Sequence, residues 1–135
     1  MPSLVPPHVV NIGDLRRLAE RRLPRAIFDY VDGGSEREIT MRENERAFED
    51  VVFLPRNAVD AKQLDSRVTV LGAELSFPLI LAPVGFTRLI HPVAERAVAQ
   101  AASKAGIGYC MSTFSGTHVN DVRAVSKGPL WYQLY

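Results

Sequence analysis

Four residues hold the positions from which this chain could do chemistry: Gly85, Ser112, Gln133 and Tyr135. They lie in Ala82-Pro83-Val84-Gly85, Met111-Ser112-Thr113 and Gln133-Leu134-Tyr135, each at the end of a short apolar run. In parallel α/β architectures, functional groups collect at the C-terminal ends of strands. Gly85 has no side chain, so its backbone N–H can approach a flat ligand closely. The Ser112 hydroxyl can donate or accept, and the Gln133 amide can do both at once. That pairing suits a ring presenting alternating donors and acceptors. The Tyr135 phenol can bond a substrate oxygen. Singly, a Ser, Gln or Tyr at a strand end is more often a turn or edge residue than a ligand contact. Three in register on one rim make the two readings equally strong.

The elements that must position these residues follow from pattern. Residues 11–50 are expected to be helical. Asn11 can cap a helix with Ile12, Leu15, Leu18 and Ala19 on its apolar stripe. Pro24 suits the first turn of a second helix striped by Ala26, Ile27, Tyr30 and Val31. Gly33-Gly34 is expected to end it in the left-handed conformation. Ser35 with Glu38 reads as a capping box opening a third helix, with Ile39, Arg42, Ala47 and Phe48 as a weaker stripe. Val51–Leu54 and Val68–Leu71 read as extended, the latter turning at Gly72-Ala73 into a hairpin with Glu74–Phe77.

From residue 77 the grammar changes. Pro78–Ala82 is an apolar run expected to be a strand buried on both faces. A helix follows on Ala94, Ala97, Val98, Ala101, Ala102 and Ala105, ended by Gly106. Ile107–Met111 reads as a second strand, and Val119, Val122 and Val125 as a helix capped by Gly128-Pro129. Leu130–Tyr135 reads as a third strand. Alternating strands and helices predict a parallel sheet. A closed (β/α)₈ barrel takes about 250 residues and eight strands. This chain has room for three strands, and an uncovered strand edge invites pairing. The sequence is therefore expected to be part of a longer barrel rather than a small open sheet. Residues 1–76 would form an N-terminal helical segment and hairpin, and residues 77–135 the first βα units.

Composition narrows the classes further. Hydrophobic residues make up 47% and charged residues 23% of 135, with a formal net charge of +1. Such a balance gives no electrostatic footprint for nucleic acid. The single cysteine, Cys110, excludes an internal disulfide and a four-cysteine metal site, and no metal centre is expected. Cys110 is expected to be a small buried core residue rather than a reactive thiol. Met1 to Val10 lacks the basic stretch and apolar core of a signal peptide. No apolar stretch approaches the roughly 20 residues of a membrane span. A cytoplasmic protein is the default, with room for peripheral contact at the inner face of the membrane.

A family resemblance then enters. Phe28-Asp29-Tyr30-Val31-Asp32-Gly33-Gly34-Ser35-Glu36, Arg42-Glu43-Asn44 and Phe53-Leu54-Pro55-Arg56 resemble the opening of the FMN-dependent 2-hydroxy-acid oxidase and dehydrogenase family. The likeness continues through Leu81–Gly85, His91-Pro92, Ala105-Gly106-Ile107, Met111-Ser112-Thr113 and Leu130–Tyr135, in order and nearly end to end. It implies an incomplete TIM barrel, FMN as cofactor and a small 2-hydroxy acid of the lactate, glycolate or mandelate type as substrate. It implies that Tyr30 binds the substrate carboxylate and that Tyr135, the second active-site tyrosine, lies near the substrate hydroxyl. Pro83, Val84 and Gly85 would lie against the flavin, with Ser112 and Gln133 as polar contacts to FMN. Without the motif, Tyr30 reads as a core aromatic on a helix stripe. Val84 departs from the family pattern, which usually has threonine there; backbone contacts would survive the lost hydroxyl. Phe114 varies among relatives and would shape the substrate pocket.

In the family pattern the catalytic histidine, the carboxylate-binding arginines, a lysine and the phosphate site all lie beyond Tyr135. None of His8, His91 and His118 matches the catalytic position, and His91 is expected to be a loop or packing residue. The isolated chain is therefore expected to be inactive and to bind FMN poorly. The resemblance further implies a homotetramer. The electron acceptor, whether oxygen, a quinone, a cytochrome or another carrier, leaves no mark on these residues. Two other readings remain open: a different FMN or phosphate-binding barrel enzyme, and a non-catalytic interaction protein using the open sheet edge.

Overall fold

A computed structural model describes residues 9–58, 60 and 63–135. His8 and most of the N-terminal stretch read for a signal peptide lie outside the described residues. The chain divides into two compact units, Met1–Val59 and Asp60–Tyr135.

The first unit is helical, with α1 (Ile12–Arg22), α2 (Arg25–Asp32) and α3 (Ile39–Glu49). Asn11 caps α1 as expected. Its side chain accepts from Asp14 N at 3.0 Å, and Asp14 Oδ2 accepts from Asn11 N at 3.2 Å and Val10 N at 2.8 Å. Those backbone donors hold the Asp14 carboxyl below its usual range. Arg16 joins α1 to α2. Its guanidinium lies 5.6 Å from the Phe28 ring centroid and forks onto Asp32, with Nη2 to Oδ2 at 2.6 Å. Phe28 is the buried residue of α2.

Two expected caps differ. Gly33 ends α2 in an extended conformation (φ −83, ψ 154), not a left-handed one. A Cβ there would stand 2.9 Å from the Asp29 carbonyl oxygen, so space rather than backbone freedom selects glycine. Ser35 does not cap α3. The helix starts at Ile39, after a turn closed by Glu38 N donating to Ser35 O at 2.9 Å. Glu38 takes the left-handed conformation itself and accepts from Gly34 N at 3.1 Å. Val51–Leu54, expected to be extended, forms no strand and is exposed.

The second unit begins with an antiparallel hairpin, β1 (Val68–Val70) and β2 (Ala73–Leu75), in register Val68↔Leu75 and Val70↔Ala73. Leu71 and Gly72 both have positive φ (49° and 78°), the backbone sense that matches strand twist in a two-residue turn. Then come β3 (Ile80–Leu81), α4 (Ala94–Ala105), β4 (Gly108–Met111), α5 (Val119–Val125) and β5 (Leu130–Tyr132). The three strands are parallel in the order β3-β4-β5. Gly106 ends α4 at φ 66, as expected, with its N–H shared between the Ala102 and Ser103 carbonyls. The end of α5 differs. Its cap is Ser126 in extended conformation, and Gly128 instead allows close approach to Ser103, whose Cα a Cβ would meet at 3.0 Å.

The pleat sorts the sheet into two faces. Tyr109 and Met111 face the helices and pack with Ala99, Ala102, Ile107 and Val122, while Leu81, Val98 and Leu130 close that core. On the opposite face Trp131 crosses Gly108, where an added Cβ would meet Trp131 Cζ3 at 2.3 Å and Ile80 Cγ1 at 3.1 Å. Cys110 alternates onto this face and is half-buried, rather than lying in the helix-covered core as expected. Only β4 is buried through most of its length. The expectation that the first strand is buried on both faces fails, since Ile80 is 39% exposed. It is an outer strand, and the helices cover one face.

Candidate functional site

The C-terminal ends of β3, β4 and β5 bring four of the expected residues onto one rim. After β3 the chain passes Pro83 and exposed Val84 to Gly85, then enters a 3₁₀ turn at Thr87–Leu89. Gly85 stands against the loop that follows β4. A Cβ on it would meet Phe114 Cβ at 3.1 Å and Ser112 Oγ at 3.6 Å. The two loops are joined where Phe86 N donates to Phe114 O at 3.1 Å, with their rings stacked at 5.4 Å. Phe86 holds a left-handed backbone to do so (φ 54).

Ser112 is buried and doubly engaged: its Oγ donates to Gln133 Oε1 at 3.3 Å and accepts from Phe114 N at 3.1 Å. It is thus a turn residue as well as a rim residue. Gln133 is fixed through its backbone, N donating to Met111 O at 2.8 Å, while its carbonyl accepts from Thr113 Oγ1. Its Oε1 also receives Thr113 N at 3.4 Å. Among the described residues neither Gln133 Nε2 nor the Gly85 N–H meets an acceptor. Tyr135 is 76% exposed, its ring set edge-on to Phe114 at 5.8 Å. Phe114 therefore touches Gly85, Phe86, Ser112 and Tyr135. Tyr30 belongs to the first unit, on α2, and is 62% exposed rather than a core aromatic of its stripe.

One feature of this region escaped sequence reasoning. Glu95, in the first turn of α4, is 0% exposed. Its Oε1 accepts from Thr87 Oγ1 at 2.6 Å and Gly116 N at 3.2 Å, and its Oε2 from Thr117 Oγ1 at 2.5 Å. Burial pushes its pKa up, but the Thr117 and Thr87 hydroxyls and the backbone N–H groups outweigh that and hold it below the ordinary 4.5. The signal was present in the spacing: Glu95, Ala99 and Ala102 follow i, i+4, i+7, the period of a buried stripe.

The two described histidines behave as loop residues. His91 Nδ1 accepts from Val93 N at 3.2 Å, and His118 Nδ1 caps α5 by accepting from Asn120 N at 3.3 Å. Among the described residues no group of three His, Cys, Asp or Glu could hold a metal ion. None of the described helices is long and apolar enough to cross a membrane.

The rim suits a planar ligand with acceptors along its edge. Among the described residues two unpartnered donors lie on it, at the ends of β3 and β5 with β4 between them, beside exposed aromatic rings. Parallel strands joined by helices, with such groups at the strand C-termini, form the partial α/β arrangement shared by barrel and open-sheet enzymes. The family model described as FMN-dependent dehydrogenase matches residues 19–135, and the chain belongs to that family. The (S)-mandelate dehydrogenase of Pseudomonas putida is 36% identical over 128 residues, covering 95% of this chain and 33% of that enzyme. The solved structure of a soluble variant of that membrane-associated enzyme superposes with a TM-score of 0.86 at 37% identity, over 95% of this chain and 37% of the other. A putative L-lactate dehydrogenase of Mycobacterium tuberculosis is 43% identical over 127 residues, covering 93% of this chain and 31% of that protein. A mandelate oxidase variant solved with a C4a-OH-FMN adduct superposes with a TM-score of 0.83 at 38% identity, over 90% of this chain and 37% of the other. The chain thus spans about a third of the length of the curated relatives it matches.

Proposed function

We propose that this chain forms the N-terminal helical segment, hairpin and first βα units of an FMN-dependent enzyme that oxidises L-2-hydroxy acids to 2-oxo acids. The observation that carries the proposal is the shared rim, with the Gly85 N–H and Gln133 Nε2 left without acceptors beside Tyr135. FMN, held along this rim, would supply the two-electron acceptor for the hydride on the substrate C2. Gly85 donates its N–H toward the flavin edge, with Pro83 and Val84 offering backbone along the ring. Gln133 donates through Nε2 while Ser112 holds its Oε1. Tyr135 bonds the substrate hydroxyl, and Tyr30 the carboxylate. The proton from the hydroxyl goes to a base that is neither His91 nor His118, whose Nδ1 atoms are occupied by backbone donors.

The substrate is of the lactate, glycolate or mandelate type, and the assembled protein is a tetramer in the cytoplasm or peripheral to the inner face of the membrane. The 135 residues by themselves are expected to show no turnover, since neither described histidine is placed as the base. Removing a general base commonly lowers rates by about 10²–10⁴-fold. The test compares this chain with a longer protein carrying it, each incubated with FMN and then with L-lactate, glycolate or (S)-mandelate without oxygen. Bleaching of the flavin by one of these acids in the longer protein only, slowed by Tyr135→Phe, is the expected result. No bleaching by any acid, or bleaching indifferent to Tyr30→Phe and Tyr135→Phe, overturns the assignment.

A further inference from the structure

The buried carboxylate of Glu95 has no part in the chemistry assigned so far, and burial alone does not account for it. Its stripe neighbours Ala99 and Ala102 fill the same helix face with methyl groups. A buried charge is costly and is tolerated only where donors replace its water. Here three donors do so, and they come from both rim loops. Thr87 lies two residues after Gly85, at the head of the 3₁₀ turn. Gly116 and Thr117 end the loop that starts at Ser112. Beside the Phe86–Phe114 hydrogen bond, Arg88 adds a third tie between the same loops, Nη1 donating to Gly116 O at 3.1 Å while its stem fills the space a Cβ on Gly116 would need.

The joined segment is also held under backbone strain. Phe86 and Ala94, on either side of the 3₁₀ turn, have φ of 54° and 45°. Left-handed backbone in residues other than glycine persists where surrounding contacts over-determine it, and such sites cluster where position matters. The Glu95 network supplies such contacts between the two residues. The carboxylate also matters as a carboxylate. Oε1 and Oε2 both accept, so a neutral amide at this position offers one acceptor atom where two are used.

We propose that Glu95 is a positioning residue that sets the spacing between the Gly85 loop and the Ser112–Phe114 loop, so that the Gly85 N–H and the Gln133 amide meet one planar ligand together. This rests on the assignment of the rim to FMN. The carboxylate touches neither ligand nor substrate and acts through Thr87 and Thr117. Loss of one acceptor atom frees one loop relative to the other, misaligning donors that must bind in concert. Misplacements near 1 Å can lower rates on the order of 100-fold.

The test uses the FMN-reconstituted longer protein with Glu95→Gln, Thr87→Val, Thr117→Val and Thr117→Ser. FMN affinity is read by titrating apoprotein, alignment by the visible flavin spectrum, and turnover by separate kcat and KM. Glu95→Gln is expected to weaken FMN and lower kcat, each on the order of 10- to 100-fold, with KM for the hydroxy acid changed less than about threefold. Thr87→Val and Thr117→Val move both in the same direction, and Thr117→Ser, which keeps the donor, restores them. If Glu95→Gln does not fold, the threonine variants decide alone. A folded Glu95→Gln protein with native flavin spectrum, FMN affinity and kcat overturns the proposal, as do threonine variants with native values. A wild-type protein that binds no FMN overturns the rim assignment itself, and this inference with it.

Discussion

Gly108→Ala is the sharpest perturbation of the scaffold that carries the rim. The new Cβ would lie 2.3 Å from Trp131 Cζ3 and 3.1 Å from Ile80 Cγ1. Ordinary carbon contacts lie at about 3.5 Å or more, so the indole must move by roughly 1 Å or β4 must shift. Gly108 is in the central strand, paired with β3 on one side, so the ring on the outer strand β5 is the part that gives. Overpacking of this kind costs about 1–3 kcal/mol. For a unit of this size each kcal/mol lowers Tm by about 4–8 °C. The only tryptophan in the chain is Trp131, so its emission reports the displacement directly. Gln133 is two residues further along the same strand face, which ties the change to the rim. The expected result is a Tm lowered by at least 4 °C or so, red-shifted tryptophan emission and weaker FMN binding, with Gly108→Ala/Trp131→Leu recovering most of the stability. A Gly108→Ala protein with unchanged Tm and emission refutes the packing of Trp131 across β4.

The Glu95 carboxyl, held below 4.5 in the folded chain, gives up protons more readily than in the unfolded chain. Its stabilising contribution is present above about pH 4.5 and is lost as pH falls through the folded value, so Glu95→Gln should flatten the acid limb of a Tm-against-pH profile; an unchanged limb contradicts this. The Tyr109 phenol is pushed up to about 12, first by burial and then by the Glu95 charge, from an ordinary 10.0. The folded chain keeps that proton while the unfolded chain loses it, so stability is full below pH 10 and falls toward about pH 12. In an absorbance titration the Tyr109 component should ionise late, and earlier in Glu95→Gln; a Tyr109→Phe protein whose titration loses no late component contradicts it. Leu71 is 86% exposed with φ 49 in the hairpin turn, so Leu71→Asn loses little packing and relieves left-handed strain. The gain should be about 1 kcal/mol, read as a higher urea midpoint; a lower midpoint contradicts the turn geometry.

Legibility in the sequence followed the range of the interaction concerned. Asn11, Gly106 and the hairpin were readable because their partners lie close in sequence, although the turn falls at Leu71-Gly72, one residue before the expected Gly72-Ala73. The parallel strands were readable from alternation with helices, although their burial was not. Ile80 depends on what covers β3, which no local pattern reports. Ser35 failed as a cap because Glu36 and Glu38 take left-handed backbone and fold the segment into a turn. On the rim, Gly85, Ser112, Gln133 and Tyr135 were found through their positions at strand ends. The convergence of Gly85 and Tyr135 on Phe114 depends on contacts 29 and 21 residues apart in sequence and emerged only from the structure. Glu95 was passed over altogether. The stripe read from the sequence ran through Ala97, Val98, Ala101 and Ala105, of which Ala101 and Ala105 are exposed, whereas Glu95 and Ala99 are buried; a charged side chain counts against burial until its donors, Thr87 and Thr117, are brought to it.

The most direct measurement is a crystal structure of FMN bound to a protein carrying these residues. An isoalloxazine edge at about 2.7–3.2 Å from both Gly85 N and Gln133 Nε2, with the Tyr135 hydroxyl over the same ring face, is the predicted result. A flavin seated away from the ends of β3, β4 and β5, with those donors facing solvent, would contradict it.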